Sequence, residues 1–139
     1  MREWDELSDD VSKITPDKEK AKALLHVVEL RERNIRSMES DELTTLIVES
    51  YYEIIKELIT AIMSADGWKT TSHELLIGYL AQHHKEFSQA ELHTIDQLRK
   101  TRNDIAYRGV MVRKDYLTRN KGVILQAISK LKQLVHTKI

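Results

Sequence analysis

The sequence predicts an all-α fold, an up-and-down bundle of four to five helices. Apolar residues recur at intervals of three and four along successive stretches, as they do in helices that bury one face. One proline and four glycines in 139 residues leave little room for a turn-rich β fold. Helix start and stop signals fall between the periodic stretches.

Residues 1–14 are acidic, with Trp4, Leu7, Val11 and Ile14 spaced by three or four. They are expected to form a short helix docked by its tryptophan, or a mobile arm. Thr15-Pro16 then supplies a capping hydroxyl and a proline at a first helical position. The first helix carries Ala21, Leu24, Leu25, Val28, Ile35 and Met38 inward, with Glu29–Arg33 and Glu32–Arg36 spaced to pair on its wet side. Ser40 caps a second helix, and Asp41 and Glu42 suit the positive end of its dipole.

That second helix has the longest apolar stripe in the chain, Leu43, Leu46, Ile47, Ser50, Tyr51, Ile54, Ile55, Leu58, Ile59, Ile62 and Met63. Such a stripe belongs at the centre of a bundle, and Asp66-Gly67 ends it. A shorter helix is expected from about Ser72 to His84, around Leu75, Leu76, Tyr79 and Leu80. Ser88-Gln-Ala-Glu91 is a capping box. It opens a helix with Leu92, Ile95, Leu98, Arg102, Ile105 and Ala106 in phase, stopped by Gly109. The hexamer VMVRKD, with no partner strand, is expected to be an extended connector. A last helix runs from about Asp115 to His136, with Gly122 its weak point. Residues 15–139 thus form one helical domain behind the N-terminal arm.

Bulk composition excludes several function classes. Cysteine is absent, which removes thiol nucleophiles, disulfides and Cys-based zinc sites. His83-His84 and the His93/Asp96 pair are too few for a metal centre, so no metal and no other cofactor is expected. No window approaches ~18 uncharged apolar residues, and no signal-type segment opens the chain. A soluble cytoplasmic protein is expected, with no membrane partner. Net charge is zero but divided. Residues 1–98 hold 11 Lys/Arg against 20 Asp/Glu; residues 99–139 hold 11 against 2. The basic third suits a phosphate-binding face, or an acidic and a basic part of one domain attract each other.

Arg102 is out of place on its ridge. Leu98 precedes it by four and Ile95 by seven, so a guanidinium starts from the buried stripe. Removing a charge from water without a partner costs several kcal/mol, order of magnitude. Three outcomes are open. It pairs with Glu53 or Glu57 of the second helix, it snorkels at a bundle edge, or it lines a groove that takes an anion.

The stretch LRKTRNDIAYRG, residues 98–109, resembles the signature of HEPN domains, small helical bundles of prokaryotic toxin–antitoxin pairs and RNA-processing systems. Their hallmark is arginine, four to six residues, then histidine, commonly Arg-Asn-x-x-x-His near a helix end. Arg102 and Asn103 match, the four-residue spacing matches, and Tyr107 stands at the histidine position. The resemblance spans roughly residues 40–136, with an early Tyr-Tyr on the long helix. It implies a homodimer with two motif copies at one groove, which in active members cleaves RNA without metal. Histidine takes the 2′-hydroxyl proton, and arginine stabilises the phosphorane.

A phenol keeps its proton until about pH 10. It donates a hydrogen bond or stacks on a base, and it is a poor general base. The implied set of Arg102, Asn103 and Tyr107 is therefore expected to bind RNA or a nucleotide better than it cuts. Alternatively, Tyr107 is an interface tyrosine. Positions five apart on a helix lie ~140° apart, so Arg102 and Tyr107 converge only at a helix end or across a dimer. Arg102, Asn103, Arg108, Arg113 and Lys114 are the expected phosphate contacts, with Tyr51, Glu53 and His73 supporting them. A nucleotidyltransferase is one partner the resemblance implies, although Gly109 stands where such partners modify a tyrosine. Two rival readings are an active metal-independent endoribonuclease, with Tyr107 or His73 as base, and a non-catalytic protein-interaction module.

Overall fold

A computed structural model describes residues 1–139. Five helices make the bundle: α1 (Lys18–Arg36), α2 (Thr44–Asp66), α3 (His73–His83), α4 (Gln89–Arg108) and α5 (Lys114–Lys138). Two three-residue strands, β1 (Val11–Lys13) and β2 (Trp68–Thr70), pair antiparallel at one end. No helix is long and apolar enough to cross a membrane.

α2 is the axle of the bundle and packs against each of the other four helices. Val48, Ile54, Ile55, Leu58, Ile59, Ile62 and Met63 are all sealed from solvent. Leu46, expected in this stripe, is 48% exposed, while Thr44, Thr45 and Val48 around it are buried, so the packed face of the first turn of α2 is not the one that carries Leu46. A 3₁₀ turn over Asp41–Leu43, capped by Ser40, leads directly into α2. Gly67 adopts the left-handed conformation, φ 94°, and closes α2 by donating to Met63 and Ser64 carbonyls. The Ser88–Glu91 capping box forms at the head of α4, with both reciprocal hydrogen bonds.

Several sequence expectations need correction. The cap of α1 is Asp17, which accepts from the Lys20 amide at 2.9 Å, and not Thr15. Thr15-Pro16 is instead part of the crossing from β1, where Ile14 donates to the Gly67 carbonyl and Asp17 to the Ser64 carbonyl. The intrahelical pairs expected on α1 do not form. Glu32 reaches Lys132 of α5 at 3.0 Å, and Arg31 reaches Glu57 of α2 at 2.9 Å. Gly122 does not interrupt α5.

The N-terminal arm is ordered and is not a helix. Asp5 and Ser8 accept from nearby backbone amides, which competes with helix formation and turns the chain. Val11, Ser12 and Lys13 then pair with Thr70, Lys69 and Trp68. Trp4 is buried and meets Trp68 and Tyr79 edge-on, at centroid distances of 5.6 and 4.9 Å. Gly78 of α3 makes this docking possible, because a Cβ there would fall on the Arg2 carbonyl oxygen.

The divided charge is used in two ways. Lys130, Lys132 and Lys138 of α5 pair with Glu91, Glu32 and Asp66 of other helices at 2.7–3.0 Å. Arg108, Arg113 and Arg119 lie outside and pair only with Asp104 or Asp115, next to them in the chain, all well exposed. The first group braces the domain, while the second stays accessible to an outside anion.

Candidate functional site

The second half of α4 faces the start of α3 across an open groove of about 290 Å³. Thr71, Ser72, His73 and Glu74 form one wall; Arg99, Arg102, Asn103 and Tyr107 form the other. The wall from α3 is set by its cap. Ser72 accepts from the Leu75 amide, leaving His73 at the first helical position beside the positive end of the helix dipole.

Arg102 leaves the apolar ridge toward α2, where its Nε donates to Glu53 Oε1 at 3.3 Å. Glu53 is thus the counter-charge, and Glu57 is occupied by Arg31. Lys56 holds the second Glu53 oxygen at 2.6 Å. Burial works against the Glu53 charge, but the bond from Lys56 and the fields of Lys56, Arg102 and Arg31 hold its carboxyl below the ordinary range. The Arg102 side chain stays 24% exposed. Its two terminal nitrogens make no hydrogen bond within the chain, and the side chain lines the groove.

Arg99 repeats this arrangement one turn earlier. Its Nε donates to Asp96 at 3.1 Å, and it too lines the groove while only 9% exposed. Burial raises the Asp96 carboxyl, but the Arg99 bond and charge outweigh it and the net shift is downward. Two forks are therefore tied back through Nε to acids. Such forks are pre-organised for an oxyanion, since little side-chain freedom is left to lose.

Behind them, Tyr52 is buried and its hydroxyl lies 3.0 Å from His73 Nδ1. Burial holds the His73 pKa below its ordinary value, and Lys56, Arg102 and Arg99 add to that against the opposing pull of Glu53. Burial likewise pushes the Tyr52 phenol up.

Asn103 is half-buried on the groove wall, and Tyr107 is 79% exposed at its mouth. Gly109, with φ 63°, ends α4 two residues beyond Tyr107. Of the other expected residues, Tyr51 is misplaced. It lies one step round α2 and lines a separate cleft with Ile35, Ile47, Leu117 and Lys114. Lys114 lines that cleft and pairs with Asp41 at 3.1 Å, so it is not on the groove wall. Arg108 and Arg113 also lie off the wall, on the exposed surface beyond it. The sequence reading missed Arg99 and Tyr52. Arg99 had a visible signal, standing one turn before Arg102 on the same side of the helix. Tyr52 had only its adjacency to Tyr51.

No three of the His, Asp and Glu side chains converge to hold a metal ion. No family model matches the chain, and no curated protein or solved structure matches it.

Proposed function

We propose that the α3–α4 groove binds the phosphate of RNA or of a nucleotide, in a HEPN-like module that acts as a homodimer with weak catalysis at most. The observation that carries this reading is the pair of tethered arginines. Arg99 and Arg102 each give one nitrogen to an internal acid and leave the rest of the fork beside open space. An arginine serving only as a brace would spend its terminal nitrogens inside the chain.

The neighbouring groups suit the same ligand. Asn103 offers an amide to a phosphate oxygen, Tyr107 offers a flat face at the mouth for a base, and Arg108 and Arg113 extend positive charge outward. A tyrosine at the motif histidine's position is a poor general base, which is why binding is the primary role. The resemblance in residues 98–109 adds the homodimer and a nucleotidyltransferase or other defence protein as partner.

Fluorescence anisotropy with a labelled single-stranded RNA and with a labelled mononucleotide tests the reading. Arg102→Ala and Arg99→Ala should each weaken binding by about tenfold or more, as loss of a charge-assisted contact does. Equal affinity of both variants and the parent chain would reject it.

A further inference from the structure

We propose that the cleft between α1, α2 and α5 is a second ligand site, one that takes a small organic monocarboxylate with an apolar tail. It is separate from the α3–α4 groove and does not depend on what that groove binds.

The cleft holds about 410 Å³, within the ~300–1,000 Å³ of small-molecule sites. Tyr51 lines it and is only 6% exposed, yet its hydroxyl is open to solvent and makes no hydrogen bond within the chain. Burial, with the Glu32 charge behind it, pushes the phenol up, so the hydroxyl keeps its proton at neutral pH and is free to donate. The other hydroxyls on the lining are engaged. Ser40 accepts from the Glu42 amide, and Thr44 and Thr118 donate to the Asp41 and Lys114 carbonyls. A nearly buried donor with no internal partner calls for an acceptor from outside the chain.

Two cations meet the hydroxyl. The pairs Lys114–Asp41 and Lys138–Asp66 set α5 parallel to α2, and Arg31–Glu57 sets the register of α1. Counting ~1.5 Å per residue from these pairs brings Arg36, Tyr51 and Lys121 to within about one turn of the same level. Arg36 and Lys121 pair with no acid of the chain, and both line the cleft. Ile47 and Leu117 each lie one turn nearer the start of their helix, with Met38 in the connection before α2, so apolar surface extends from that level toward the start of α2. The two acids of the lining lie at this apolar end. Lys114 neutralises Asp41 at 3.1 Å, which leaves Arg36 and Lys121 against Glu39. One positive charge in excess suits a monoanion rather than a dianion, and Glu39 turns the anionic head away from the apolar end. The carboxylate thus accepts from Tyr51 between Arg36 and Lys121, and the tail is buried over Ile47, Leu117 and Met38.

Calorimetric titration of the full chain with sodium octanoate tests the site. Expected is one saturable site with Kd below about 1 mM. 1-Octanol, octylamine and acetate, which lack the charge, invert it or lack the tail, should each bind about tenfold more weakly or worse. Tyr51→Phe should weaken octanoate about tenfold with the melting temperature unchanged, since the hydroxyl has no internal partner. The double variant Arg36→Gln, Lys121→Gln should weaken it by about tenfold as well. Arg102→Ala, in the other groove, should bind octanoate like the parent. No saturable uptake, equal uptake of octanol or octylamine, or full affinity in both Tyr51→Phe and the double variant would overturn the proposal. Loss of octanoate binding in Arg102→Ala would put the ligand in the α3–α4 groove and overturn it too. Should Tyr51→Phe fail to fold, the double variant, at two exposed positions, decides alone.

Discussion

Arg102 and Glu53 meet through one hydrogen bond of 3.3 Å, and Glu53 keeps a second cation, Lys56, at 2.6 Å. The carboxylate is held whether or not the arginine is present. Arg102→Ala is therefore expected to cost roughly 1 kcal/mol or less, the range of partly exposed ion pairs. Glu53→Ala removes the acceptor of both cations and should lower the melting temperature more. Thermal melts of the two variants check the order. A collapse of stability in Arg102→Ala would make the guanidinium a brace.

Phosphate contacts leave a trace in salt dependence. For single strands, log K falls against log salt with a slope of about −0.7 per phosphate neutralised. Arg102→Ala should flatten the slope measured by anisotropy titrations by about that amount. Lys130→Ala, whose cation is bound to Glu91 at 2.8 Å, should leave it unchanged.

Two glycines in helices should respond in opposite directions to alanine. At Gly78 the added methyl meets the Arg2 carbonyl oxygen and lies 3.0 Å from the Trp4 amide nitrogen. Gly78→Ala should destabilise by about 1–3 kcal/mol, as overpacking does, and shift tryptophan emission to the red as Trp4 is displaced. At Gly122 nothing lies within 4 Å, and Gly122→Ala should stabilise by about 0.5–1 kcal/mol. Denaturant melts followed by fluorescence distinguish the two.

Acid should lower the stability of the protein in two stages. His73 and His84 both have pKa values below their ordinary 6.5, each chiefly through burial. The unfolded chain then binds more protons than the folded one, so stability is complete above about pH 6.5 and declines as pH falls toward the folded values. Asp96, Glu53 and Glu91 are also lowered, against their burial, by Arg99, Lys56 and Lys130 in turn. Their contribution is complete above the ordinary carboxylate range and is lost as pH falls through the folded values. Melting temperatures should be flat above neutrality and fall first below about pH 6.5. His84→Asn should reduce that first decline.

Tyr107, Val110 and Met111 are 79%, 38% and 71% exposed at and just beyond the end of α4, around exposed Arg108. If the proposed homodimer joins through these residues, Met111→Asp should shift sedimentation from dimer to monomer and change thermal stability little. A dimer unaffected by the substitution would place the interface elsewhere.

The helices were legible because their signals are local. The Ser88–Glu91 box, the Gly67 and Gly109 stops and the stripe from Ile54 to Met63 each depend on residues within a turn or two. Arg102 stood out for the same reason, since Ile95 and Leu98 fix its phase. What stayed hidden depends on partners far along the chain. β1 pairs with residues almost sixty positions later and is too short to show a period. Glu53 and Glu57 differ by about one helical turn, and the choice between them is made by Arg31 on α1. Tyr51 and Tyr52 are neighbours in sequence but point ~100° apart, Tyr51 into a separate cleft and Tyr52 into the core against His73.

β2 ends at Thr70, and the next three residues, Thr71, Ser72 and His73, are one wall of the groove. The strand that holds β2 in place is the chain's own beginning, clamped by Trp4. The leading residues and the groove are thus mechanically joined. Trimming residues 1–13 would touch no groove side chain, yet it would loosen the wall that runs into α3 and register as weaker binding of the proposed ligand.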